Sequence, residues 1–186
     1  MDTKKKENKI EAENGIIRVY PDPVLRKKTR ELSLEEIKHQ TTKKIIKKMT
    51  EALFESPNGV GLAAPQIGIS KAIFIVPLKV IEMDKKKKEE PEKDNTKVLV
   101  FINPRITKAS KKKEVLYEGC LSTPNLYGQI KRSRQVTIEA LNENGKKITR
   151  GAGGLLAEIF QHETDHLNGK LFIDEATDLR KHEPPE

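Results

Sequence analysis

Two imidazoles four residues apart, His162 and His166, with the carboxylate of Glu163 beside the first, lie in the stretch EIFQHETDHLNG, 158–169. On an α-helix, residues four apart share a face, so both rings can hold one cation. Glu163 stands about 100° further round the axis from His162. There it can move a proton for a water without taking a coordination place, which is the logic of the HExxH pattern in metal-assisted hydrolysis. The alternative is an exposed polar helix. Leu155, Leu156, Ile159, Phe160 and Leu167 oppose it, because they give the same segment an apolar face. Two ligands do not complete a catalytic centre, which usually has three protein ligands and an open position. A third histidine at metzincin spacing is absent, since position 172 is Phe172, and His182 lies in a proline-rich tail. The chain's one cysteine, Cys120, stands in YEGCLSTP, 117–124. A lone cysteine is more often a small buried apolar residue. Beside an HExxH helix short of a ligand, its thiolate becomes the candidate. Two imidazoles and a thiolate suit zinc, iron, nickel or cobalt and do not choose among them.

A third stretch, GVGLAAPQIG, 59–68, has no charge, small residues and one side-chain amide. The plainer reading is a turn that lets a strand pack closely. Small residues also let backbone line a narrow slot, and Gln66 could aim an N–H at a developing oxyanion.

These residues must be positioned by the elements around them. A helical pattern runs over 34–55, with Ile45, Ile46, Met49, Ala52 and Leu53 on one face and lysines opposite. AIFIVPLKV, 72–80, and KVLVFINPRI, 97–106, read as strands. Between them 82–96 is a charged, low-complexity insert, expected as a hairpin tip. EVLYEG, 114–119, is a further strand, and QVTIEALN with KKITR flank an Asn-Gly turn and predict a hairpin. LFID, 171–174, suggests a short last strand, followed by a frayed tail. Strands fill the middle and helices stand at the two ends, which is an α+β order. The expected division is a loose tail over 1–14, one catalytic domain over 15–176 and a short tail over 177–186.

The chain has 186 residues and a net charge of +8. That length suits one domain. No apolar run approaches a membrane span, and the charged start lacks the apolar core of a secretory signal. One cysteine excludes an internal disulfide and fits a reducing compartment. The basic balance fits polyanionic neighbours such as RNA or the ribosome. The plainer account is a solvated lysine surface, because no aromatic residues interleave with the basic ones.

Together the three stretches resemble the peptide deformylase family, whose signatures GxGLAAxQ, EGCxS and HExxH stand here at 59–66, 118–122 and 162–166 in the family's order and spacing. The resemblance implies mostly antiparallel β-sheets packed around a central C-terminal HExxH helix, with an N-terminal helix. It implies metal ligation by Cys120, His162 and His166, general base and acid work by Glu163, and an oxyanion hole from Gln66 and the backbone N–H of Leu121. Gly61 and Gly119 would hold the peptide, Val60, Leu155, Ile159 and His162 would border a pocket for a methionine side chain, and Glu118 would pair with Arg132. Two positions depart from the family's pattern: Tyr127 stands at the pocket rim where many members carry arginine, and Glu158 where an apolar residue is frequent. The implied reaction releases formate from the N-terminal formylmethionine of new polypeptides. The implied ion is Fe(II), with zinc, nickel or cobalt able to replace it. The implied setting is a cytoplasmic monomer near the ribosomal exit tunnel, with no DNA or membrane partner. A metallopeptidase cutting internal bonds would share HExxH but leave the other two stretches unexplained. A ribosome- or RNA-associated protein without turnover would leave intact Glu163 and Gln66 unexplained.

Overall fold

The computed structural model describes residues 16–56, 58–84 and 97–181. A short helix and a longer one open the helical part. Ser33 caps α1, Leu34–Lys38, in a capping box with Glu36, and α2 spans Gln40–Glu55. The continuous helix expected over 34–55 is broken at His39, whose backbone is extended (φ −69°, ψ 148°) and whose ring accepts from the N–H of Thr41 to start α2. Helix periodicity survives such a break on both sides, so the pattern alone does not show it.

β1, Leu62–Ala63, leads through a 3-10 turn, Ala64–Ile67, to β2, Ile73–Pro77. The strand expected over 72–80 stops at Pro77 and continues as a short helix, α3, Leu78–Asp84. A short apolar run does not by itself distinguish strand from helix. The expected hairpin tip at 82–96 falls mainly on 85–96, outside the described residues. β3, Val98–Ala109, β4, Lys113–Cys120, β5, Thr123–Ser133, β6, Gln135–Leu141, and β7, Lys147–Gly153, follow, then α4, Gly154–Leu167, and β8, Thr177–Lys181.

β5 was not foreseen. Pro124, Asn125 and Gly128 interrupt its alternation, and it is a strand because β4 and β8 pair with it on either side. β8 lies in the expected tail. All five of its residues are exposed, and its order comes from β5. LFID is a 3-10 turn, Phe172–Asp174, rather than a strand.

The strands form two antiparallel sheets, β1-β2-β3-β6-β7 and β4-β5-β8. The α+β expectation of antiparallel sheets with a C-terminal helix holds. β2 is buried along its whole length because both sheet faces are covered. Ile73, Ile75, Val100 and Ile102 face Ile45, Met49, Ala52 and Leu53 of α2. Phe74, Val76, Phe101 and Ile138 face Leu156, Ala157, Ile159 and Phe160 of α4. Phe74 and Phe101 stack at 4.7 Å, and Phe160 meets Phe101 edge-on at 5.0 Å. This trio fixes the rotation of α4 on the sheet. Rotation matters because it sets where the next turn, His162 to His166, points.

The end of α4 is fixed as well. Thr29 donates its backbone N–H and its hydroxyl to the Leu167 carbonyl at 2.9 and 3.0 Å. Gly169 turns the chain with φ +73°, and a side chain there would strike the Arg26 carbonyl at 2.6 Å.

Candidate metal centre

Three donor atoms converge where α4 meets the end of β4. One ligand atom each from Cys120, His162 and His166 lies within 4.8 Å of the others, and Cys120 Sγ stands 3.2 Å from His166 Nε2. Sulfur and nitrogen ligands of a tetrahedral cation stand about 3.6 Å apart. The Cys120–His166 separation is close to that value, so the donor set is suited to a small divalent ion. A register shift between Gly119 and Cys120, where β4 pairs with β5, aims the cysteine at α4. Ser122 donates its N–H toward Sγ at 3.4 Å, which helps to hold the cysteine side chain in place.

The outer ligand shell is built from charge. His162 Nδ1 donates to Glu118 Oε2 at 2.9 Å, which leaves Nε2 for the cation. Glu118 also receives a two-pronged contact from Arg132, Nε to Oε1 at 2.8 Å and Nη2 to Oε2 at 3.0 Å. Arg132 spends its remaining arm on Asp165 at 2.5 Å. Burial pushes the Glu118 carboxyl up, but hydrogen bonds from His162 and Arg132 outweigh it and hold the group down at about 2. His162 also stacks on Phe172 at 6.3 Å.

Glu163 is buried, and its Oε2 has no hydrogen-bond partner among the described residues. Desolvation, reinforced by the charge of Glu118, raises its carboxyl to about 7 against the opposing pull of His162. A carboxylate near neutrality can take a proton and give it back. Gly61 abuts it: a Cβ there would fall 2.6 Å from Glu163 Oε1.

Gln66 reaches the centre from the turn after β1. The Ala63 N–H donates to Oε1 at 2.8 Å, which fixes the amide's orientation. Nε2 consequently points at Cys120 Sγ, 3.5 Å away, and at Ser122 Oγ, 3.3 Å away. Leu121 follows the cysteine directly and is half-buried.

The expected pocket residues differ in exposure and neighbours. Val60 and Leu155 are exposed apolar side chains, while Ile159 is buried and in contact range of Gly61. Tyr127 lays its ring against Gly119, where a Cβ would meet Cε1 at 2.6 Å. Glu158 is half-buried, one turn before His162, and burial followed by the charge of Glu118 raises its carboxyl to about 7. Three contributors were not singled out from sequence. Asp165 and Ser122 lay inside the motifs, and their hydrogen-bonding types were the available signal. Phe172 had none beyond its apolar character.

A family model described as polypeptide deformylase matches residues 15–182. Peptide deformylase 2 of Clostridium acetobutylicum is 39% identical over 165 residues, covering 89% of this chain and 97% of that protein. A peptide deformylase of Pseudothermotoga lettingae is 40% identical over 158 residues, 85% of this chain and 80% of that one. The crystal structure of peptide deformylase from Thermotoga maritima superposes with a TM-score of 0.72 at 35% identity, over 87% of this chain and 96% of that one.

Proposed function

The chain belongs to the polypeptide deformylase family and hydrolyses the formyl amide of N-formylated peptides, and we propose that Glu163, Gln66 and Leu121 do this work beside a divalent cation held by Cys120, His162 and His166. The observation that carries the assignment is the buried, unpartnered Oε2 of Glu163 next to three converging donor atoms. When bound, the cation supplies Lewis acidity, which acidifies water and polarises a carbonyl.

Glu163 takes the proton of the attacking water as hydroxide adds to the formyl carbon. Gln66 Nε2–H and the Leu121 N–H donate to the oxygen that gains charge, and losing one such donor typically costs about 2.7–4 kcal/mol of barrier. Glu163 then returns its proton to the leaving amine, so that formate and a free N-terminus result. Gly61 and Gly119 line the peptide's path with backbone. Val60, Leu155 and Ile159 border the methionine side chain, with Tyr127 and Glu158 at its rim. Glu118 and Arg132 act through His162 rather than on the substrate.

The substrate is the formylmethionyl end of new polypeptides, met in the cytoplasm near the ribosome. The +8 charge and the single free cysteine support that setting. The ion is Fe(II), for which a thiolate with two imidazoles is a suitable set.

Anaerobic purification, metal analysis and formate release from formyl-Met-Ala-Ser test this, with Glu163→Ala as control. Formate release that needs both metal and Glu163 supports the assignment, and activity that survives long aeration opposes iron. Cleavage of unformylated peptides in place of formate release would favour a peptidase.

A further inference from the structure

We propose that the end of the β4–β5 pair remote from Cys120 is an RNA-docking surface. Two turns meet there and are tied together. Ser110 donates its N–H to the Gln135 carbonyl at 2.8 Å, Arg134 donates its N–H to the Lys112 carbonyl at 3.0 Å, and Ser110 Oγ accepts from the Gln135 N–H at 3.1 Å. On this braced platform Lys108, Lys111, Lys112, Lys113, Lys131 and Arg134 are all exposed. The nearby acid, Glu114, is taken up by Arg134 at 2.9 Å. Among the described residues no carboxylate pairs with the five lysines. Five uncompensated cations on a fixed end of a sheet favour a partner that is itself a dense array of anions.

The adjoining surface suits a sugar–phosphate backbone. A groove of about 560 Å³ opens beside the turns, flanked by Ser110, Gln135 and Thr137 and by Gly151 of β7. β7 is an edge strand, and open space surrounds the point where Gly151 would carry a side chain. Hydroxyls, an amide and accessible backbone are the groups that hold phosphates and ribose hydroxyls without reading bases.

α2 also exposes lysines, Lys43, Lys44, Lys47 and Lys48, but Glu51 and Glu55 follow on that helix and Lys47 pairs with Glu51 at 3.8 Å. Position favours the turns too. β4 runs from Lys113 to Cys120. Seven steps of about 3.3 Å put the cations roughly 23 Å from the metal ligand. RNA held there leaves the catalytic centre open to a peptide. The inference rests on the deformylase reading only for why RNA and substrate should be near each other.

The test is fluorescence anisotropy of a short labelled RNA hairpin against the purified full chain over a salt series, with formate release measured on the same samples. The triple variant Lys111→Glu, Lys112→Glu, Lys113→Glu is compared with Lys43→Glu, Lys44→Glu, Lys47→Glu, which changes net charge equally. The expected result is at least a ~30-fold loss of affinity and a salt slope shallower by about 2–3 in the turn variant. The α2 variant should stay within about 3-fold of the parent, and both should keep deformylation, which also shows that they fold. No binding by the parent chain, or losses within about 3-fold of each other in the two variants, overturns the proposal. RNA binding without formate release would instead sink the deformylase reading alone.

Discussion

Glu118 holds His162 by its Nδ1 at 2.9 Å while its two oxygens are clamped by Arg132 at 2.8 and 3.0 Å. One buried carboxylate thus sets a ligand's tautomer and ties the cysteine strand to α4. Replacing Glu118 by Gln keeps the shape but removes the charge. Metal affinity should fall by about 10–100-fold, read as metal content after dialysis against a competing chelator. Arg132→Met should be worse for the fold, because it strands a charge in the interior at a cost of about 3–5 kcal/mol. Thermal melts of the two variants distinguish a ligand-orienting role from a purely structural one.

Gly61 bears on Glu163, the proposed proton carrier, rather than on the metal ligands. A methyl group at this position would overlap Glu163 Oε1 at 2.6 Å and crowd Ile159 Cγ2 at 3.1 Å. The carboxylate has to move, and a displacement of about 1 Å can cost about 100-fold in rate. Gly61→Ala should therefore lower kcat by about that factor while the metal content stays at one ion per chain. Equal loss of metal would show that the glycine serves the fold instead.

Much of the centre was legible because HExxH converts directly into geometry: a helix brings His162 and His166 to one side, and α4 does so. Cys120 required a third ligand to be missed before it could be noticed. Asp165 and Phe172 stayed hidden because their roles depend on where Arg132 and His162 point, which no periodicity encodes. The fold was read least well where neighbours decide. β5 and β8 carry turn-forming or exposed polar residues and are strands through pairing, while Leu78–Asp84 has an apolar run that fits either state.

Glu158 is the proposed pocket residue least suited to a thioether. It is half-buried, carries no hydrogen bond or ion pair among the described residues, and burial raises its carboxyl to about 7. Glu158→Ile removes this half-buried polar group, whose desolvation costs at most about 1 kcal/mol, below the range for full burial. The variant should melt higher. Its KM for formyl-Met-Ala-Ser should drop several-fold with kcat unchanged, since the proposed role of Glu158 is in binding and not in the proton transfer. A fall in kcat with constant KM would place Glu158 in the chemistry.

Arg26 and Asp174 join the turn before α1 to the turn after α4 through a contact of 2.6 Å. Burial raises the Asp174 carboxyl, but the Arg26 guanidinium and the Leu171 N–H together outweigh it and hold the group below its ordinary 3.8. A depressed folded value means that the contribution to stability is full above about 3.8 and is lost as pH falls through the folded value. The side chains are 34% and 35% exposed, so solvent screening limits the pair to about 0.5–1 kcal/mol. In a chain of this length that corresponds to about 1–4 °C of melting temperature. Asp174→Asn should therefore melt lower than the parent at neutral pH, and the gap should close as both are titrated below about 3.8. A gap that persists unchanged in acid would assign the loss to the hydrogen bond that Asp174 accepts from the Leu171 N–H at 2.9 Å rather than to the charge pair.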